Sequence, residues 1–280
     1  MRGDLTTRPY ISARGVAQLR DRLSVRDVAI LRQVAELRLM SARQIQVIHF
    51  PDSEHENELA ATRARQRALA RLVSERLLIR LERRIGGVRA GSAGLVLALG
   101  EIGQRVLVLK GPRRRSHEPG PRFVDHTLAV AQLVVDVSVA GRRGVLDLLD
   151  YQAEPTSWRE FAGLGGRRWL RPDMFLALGV GAYELRWFIE VDRASESLPV
   201  IRRKCRLYAE YYQSGTEQAG RGGVFPRVCW IVPDEVRAER VRQTIARDDR
   251  LPKGLFVVTT NREAMNNLCE ITKTGTGPAH

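Results

Sequence analysis

The chain has 280 residues, 44% hydrophobic and 28% charged, enough for two compact domains with their own cores and too apolar for a disordered chain. The opening MRGDLTTRPY lacks a leader's apolar segment, and the longest apolar stretch, TLAVAQLVVDVSVA, is short and broken by Gln132 and Asp136. Three cysteines without a CxxC spacing give no disulfide framework and no zinc knuckle, so the expectation is a cytoplasmic protein with no membrane contact. The formal charge of +14 is uneven: residues 1–120 hold 23 Lys and Arg against 12 Asp and Glu, and residues 121–280 hold 23 against 20. The first half should therefore meet a polyanion, most simply nucleic acid.

Residues 1–24 read as an N-terminal arm and 25–110 as a first domain. Val28, Leu31, Ala35 and Leu39 recur at helical spacing and give a first helix. Ser41 with Gln44 has the form of a capping box, opening a second helix that stops at Pro51. Ser53 with Glu56 repeats the pattern and predicts a third helix to about Arg76. Its inner face would be Leu59, Thr62, Gln66, Leu69 and Val73, with Arg63, Arg67 and Arg71 stepping four apart along one flank. LLIRLERRIGG and GLVLALG are strand-like runs around IGGVRAGSAG, a hairpin whose tip would carry Arg83, Arg84 and Arg89. Three helices followed by a hairpin is the plan of a winged helix-turn-helix, in which the third helix enters the major groove and the hairpin follows the backbone. Double-stranded DNA is the expected partner and these six arginines its contacts; the alternative is a solvated arginine face on a plain helical bundle. A helix over 101–109 closes the domain, and residues 111–121, within KGPRRRSHEPGPR, read as a linker.

Residues 122–265 read as an α/β domain and 266–280 as a flexible tail. The predicted order is a helix over 124–140, a strand over 146–152, an irregular Gly/Arg/Trp segment, and two strands around Asp173 and Glu190. A helix over 199–213, a strand over 227–232, a helix over 235–246 and a strand over 255–259 follow. RPDMFLALGVGAYELRWFIEVDR buries three acids in two apolar strands. Alternation puts Phe188, Glu190 and Asp192 on one face, and an odd-sum register sets Asp173 across from Glu190 or diagonal to it, within roughly 5–8 Å. Such acids repel unless a cation intervenes. Mg²⁺ or Mn²⁺ could fill that role, since Mg²⁺ sits about 2.0–2.1 Å from carboxylate oxygens; ion pairs with Arg171, Arg186, Arg202 or Arg203 are the alternative. Asp125 at a helix start and Glu154 at a strand end are weaker ligand candidates, and Tyr208, Tyr211 and Tyr212 read as packing. No phosphate-cradling glycine loop, Ser/His/Asp order or zinc spacing points to an ATPase, hydrolase or zinc enzyme.

Pro172-Asp173 followed by Glu190-Val191-Asp192 resembles the signature of the PD-(D/E)XK restriction-endonuclease-like nucleases. That resemblance implies that Asp173 and Glu190 bind the metal while a lysine orients water and steadies the phosphorane charge. Asp192 stands where the signature has its lysine, and Lys204, on the following helix, is the substitute. The wider layout, with PDMFLAL, EVDRASES and RRKCRLYAEYY, resembles the replication-relaxation family of plasmids and integrated elements in GC-rich Gram-positive bacteria, over about residues 25–260. It implies a role in replication or DNA relaxation of a mobile element. The expected fold is an α+β N-terminal winged helix-turn-helix followed by an α/β restriction-endonuclease-like domain, with Asp173, Glu190, Asp192 and Lys204 as catalytic candidates. Two functions stay open: a Mg²⁺- or Mn²⁺-dependent nicking endonuclease, or a non-catalytic replication or transcription regulator on a degenerate nuclease-like domain. Replication or conjugation proteins would be further partners, and a homodimer would suit two-fold DNA sites.

Overall fold

In the computed structural model, residues 10–81, 95–108, 119–163, 165–220 and 222–271 are described, and the chain divides into Met1–Leu128 and Ala129–His280. The stretch expected as an arm holds α1 (Ala13–Asp21), capped by Ser12, whose side chain accepts from Gly15 N. α2 (Val25–Leu37) starts with a reciprocal capping box between Ser24 and Asp27. A short strand not expected from the sequence, β1 (Leu39–Ser41), follows, and Ser41 and Gln44 cap α3 (Ala42–His49) as expected.

The third long helix departs from expectation. Ser53 lies inside a 3-10 turn, Asp52–Glu54, and caps no α-helix; α4 (Glu58–Ser74) is capped by Asn57, whose side chain accepts from Ala60 N. Its buried residues are Ala61, Leu69 and Leu72, whereas Leu59 and Gln66 are exposed. Leu59 belongs to the first turn, and the stripe that packs starts at the small Ala61 beyond it. β2 (Leu78–Leu81) and β3 (Val96–Leu99) pair antiparallel, and β1 takes the free edge of β3, giving the order β1-β3-β2. Residues 82–94, with Arg83, Arg84 and Arg89, lie outside the described residues. α5 (Glu101–Val106) is shorter than expected. A Cβ at Gly103 would come within 2.3 Å of Leu77 O, so only glycine lets α5 sit on the backbone after α4.

α6 (Pro121–Arg142) carries the chain across the boundary between the two units. Among the described residues it alone is long and apolar enough to cross a membrane by length and composition, but Ala131, Val134 and Val137 are buried here and Gln132 donates to Asp136. β4 (Asp147–Ala153) follows, and the segment expected to be irregular forms an antiparallel hairpin, β5 (Arg159–Gly163) and β6 (Gly166–Leu170). β7 (Met174–Val180) and β8 (Tyr183–Val191) form the expected hairpin, turning at Gly181 with φ 57°. α7 (Leu198–Gln213), α8 (Thr216–Gly220), β9 (Arg227–Val232), α9 (Glu235–Ala246), β10 (Phe256–Thr260) and α10 (Ala264–Leu268) complete the order.

The main sheet runs β10-β9-β8-β7-β4. β4, β7 and β8 pair antiparallel, β7 and β8 through a two-residue turn and β4 and β7 across the segment that holds the β5–β6 hairpin, while β8, β9 and β10 are parallel, the helices α7 and α9 supplying the crossovers that parallel pairing needs. Phe175 and Phe188 on one sheet face pack with Ile201, Cys205 and Tyr208 of α7 and with Trp230 of β9. The molecule is thus a mixed α and β protein with helices and several sheets.

Candidate functional site

The β7–β8 register pairs Met174 with Ile189 and Phe175 with Phe188, an odd-sum register whose last pair leaves Asp173 and Glu190 as the next residue on either strand. Asp173 N donates to Ile189 O at 3.1 Å, and Val191 N donates to Asp173 Oδ2 at 2.7 Å. The carboxylate of Asp173 therefore closes the ladder where the strand ends. Glu190 shares the face of Phe188, and that face is covered by α7. Tyr208 Oη donates to Glu190 Oε1 at 2.7 Å and Lys204 Nζ donates to Oε2 at 3.0 Å.

Lys204 and Tyr208 are four residues apart, so both fall on one side of α7 and clasp the same carboxylate. Lys204 Nζ also donates to Glu196 Oε1 at 2.7 Å and lies 5.6 Å from the centre of the Trp230 ring. Glu196 reaches it because the chain turns after β8, with Ala194 in the left-handed region at φ 57°, a conformation non-glycine residues seldom adopt. Asp192 is claimed by another helix: Arg237 of α9 donates from Nε to Asp192 Oδ2 at 2.6 Å and from Nη2 to Glu196 O. Asp192 Oδ1 is buried with no hydrogen-bond partner among the described residues.

The cations that hold these acids together are thus Lys204 and Arg237. Of the arginines considered from sequence, Arg171 stacks over Trp158, Arg186 donates to Glu184, and Arg202 and Arg203 are exposed on α7. Burial raises the Glu190 carboxyl to about 7, with Asp173 adding to the rise and Lys204 and Tyr208 opposing it. Burial alone would lower the Lys204 ammonium, but Glu190, Asp173 and Glu196 hold it above its ordinary value. Burial and the neighbouring Glu190 push the Tyr208 phenol well up, so it remains a donor.

The donor set decides how well a divalent ion fits. Both oxygens of Glu190 accept from this chain's own donors, one oxygen each of Asp173 and Asp192 does the same, and no group of three or more His, Cys, Asp or Glu among the described residues could hold a metal ion. A Mg²⁺ or Mn²⁺ ion does not fit this arrangement unless Lys204 or Tyr208 withdraws. Sequence reasoning missed Tyr208, Glu196 and Arg237 as members of the cluster. The Lys204–Tyr208 spacing was the available signal for one of them; nothing local marks Arg237, which arrives from another helix.

Asp125 sits in the first turns of α6, and Glu154 accepts from Trp158 Nε1. Tyr211 Oη donates to Glu217, which Arg159 also binds. In the first unit, Arg63 and Arg67 are exposed on α4, whereas Arg71 sends Nη2 to both oxygens of the buried Asp27, at 2.8 and 2.9 Å. Burial would raise the Asp27 carboxyl, but hydrogen bonds from Ser24 and Arg71 hold it below its ordinary value.

Residues 31–228 match the family model described as replication-relaxation. No curated protein and no solved structure matches the chain.

Proposed function

Because the chain belongs to the replication-relaxation family, we propose that it is a DNA-binding protein of a plasmid or integrated mobile element, acting in the replication or relaxation of that element's DNA. The observation that carries DNA binding is the order α2–β1–α3–α4–β2–β3 with its β1-β3-β2 sheet, which leaves Arg63 and Arg67 exposed on the third long helix. A winged helix has this order, and its third helix is the one that enters the major groove. Arg63 and Arg67 would then contact backbone phosphates.

The order α6, β4, β7, β8, α7, β9, with an antiparallel hairpin followed by a parallel strand, supports reading the second unit as restriction-endonuclease-like. Its acid cluster serves there as a clasp: Glu190 fastens β8 to α7 and Asp192 fastens β8 to α9. That favours a replication factor whose nuclease-like unit binds without cutting. One observation favours a nickase instead, namely Asp173 and Glu190 adjoining the last β7–β8 pair, with the Lys204 ammonium 3.0 Å from Glu190. The deciding experiment is incubation of the protein with supercoiled plasmid and Mg²⁺ or Mn²⁺, beside Glu190→Ala. Intact plasmid, bound equally by both proteins, is expected. Relaxed or linear product that disappears in the variant would overturn the non-catalytic reading in favour of a metal-dependent nickase.

A further inference from the structure

The β5–β6 hairpin has two unlike faces. Phe161 and Leu170 point into the core beside α7, and Arg168 pairs with Glu210 of that helix at 3.2 Å. Alternation sends Glu160, Arg167 and Trp169 the other way. Trp169 is 44% exposed, unusual for the largest apolar side chain, and the Arg167 side chain is 77% exposed although it pairs with Glu160. Arg171, exposed one residue beyond β6, lies 4.7 Å above the ring centre of Trp158. The outward face therefore alternates arginine and tryptophan, with one carboxylate among two guanidinium groups. The hairpin is also tied to the acid-bearing strand, since Ser157 Oγ donates to Pro172 O at 2.6 Å, next to Asp173.

We infer that this face is a binding surface for single-stranded DNA, distinct from the duplex-reading helix; the inference rests on the DNA-directed function proposed above. An indole open to solvent can stack on a base only where the base is unpaired, and each flanking guanidinium can pair with a backbone phosphate. A duplex hides its base faces and would gain only the phosphate contacts. Replication of an element exposes unpaired bases, so the chemistry of the surface matches that setting.

The protein reports on the surface itself, because two of its four tryptophans, Trp187 and Trp230, are buried while Trp158 and Trp169 belong to the hairpin. The test is quenching of intrinsic fluorescence by an oligothymidylate of about 15 nucleotides, against a duplex of equal length. Saturable quenching by the single strand is expected. Trp169→Ala should weaken binding about tenfold, Trp169→Phe should restore most of it, and Arg167→Glu with Arg171→Glu should weaken it further. Arg63→Glu with Arg67→Glu should weaken duplex binding at least a hundredfold and leave the quenching intact, so loss of the duplex-reading assignment and loss of this one are told apart. Absence of quenching, unchanged affinity in Trp169→Ala, equal hairpin dependence for duplex, or a Trp169→Ala effect on self-association alone would each overturn the inference.

Discussion

Glu190 is a buried carboxyl between an ammonium and a phenol, and its behaviour with pH follows from that. Its folded pKa is raised to about 7 from an ordinary 4.5, so between those values the folded protein holds a proton that the unfolded chain has released. This group's contribution is fully present below about 4.5 and is lost as pH rises toward 7. Urea denaturation from pH 5 to 8 should show that loss, on the order of 1–3 kcal/mol, and Glu190→Gln should flatten it. Asp27, whose carboxyl is lowered, acts with opposite sign at lower pH, contributing above about 3.8 and failing as the solution is acidified further. Lys204→Met should drive the Glu190 carboxyl further up, so that at pH 8 it must take up a proton or stay buried without its cation, at a cost of about 2 kcal/mol, and should cost less at pH 5, where Glu190 already carries its proton. Equal losses at the two pH values would mean that Lys204 contributes by packing and not by charge. The sequence made the three acids visible because charge inside an apolar alternation is conspicuous. It left their partners hidden, since Glu196 depends on a left-handed turn at Ala194 and Arg237 on a helix 45 residues further along than Asp192.

Helix starts show which local patterns decide structure. Ser41 with Gln44 was legible as a cap because the apolar face of α3 begins immediately after it. Ser53 with Glu56 has the same spacing, yet a 3-10 turn intervenes and Asn57 caps the helix instead. Ser24 with Asp27 does more than cap, because Asp27 also receives Arg71 from α4 and so joins two helices. The three arginines that sequence spacing grouped together therefore divide, with Arg71 tied to Asp27 and Arg63 and Arg67 exposed on α4. Asp27→Ala should lower stability by about 1–2 kcal/mol, because it removes the capping-box partner of Ser24 and the tie to Arg71, as chemical denaturation would measure. Arg71→Ala should destabilise the fold while leaving the salt dependence of duplex binding unchanged. Arg63→Ala and Arg67→Ala should each reduce the slope of log K against log salt by about 0.9 with little change in stability. The reverse pattern would put Arg71 on DNA. β1 escaped sequence reading for a different reason: three residues cannot display an alternation, and the strand exists because β3 offers it an edge.

Charge on the scale of the whole molecule separates the two units more sharply than their folds do. The first 120 residues carry nearly two basic side chains for each acidic one, while the remainder is close to balanced, and many of its acids are used internally by Lys204, Arg237, Arg159 and Arg206. Counterion release scales with the phosphates neutralised, so a protein reading duplex through one unit should show a slope set by that unit alone. Charge reversal offers a direct comparison. Arg202 and Arg203 are exposed on α7 just as Arg63 and Arg67 are on α4, and the net change in charge is the same for either pair. Arg63→Glu with Arg67→Glu should weaken duplex binding by at least a hundredfold at moderate salt, since two phosphate contacts are lost and two repulsions gained. Arg202→Glu with Arg203→Glu should change it by less than about threefold, the residual being the long-range field, which is screened beyond roughly 8–10 Å. Electrophoretic mobility shift of a labelled duplex at two salt concentrations measures both. Equal losses from the two pairs would mean that DNA is held by the molecule's overall positive field, and the assignment of duplex reading to α4 would have to be given up.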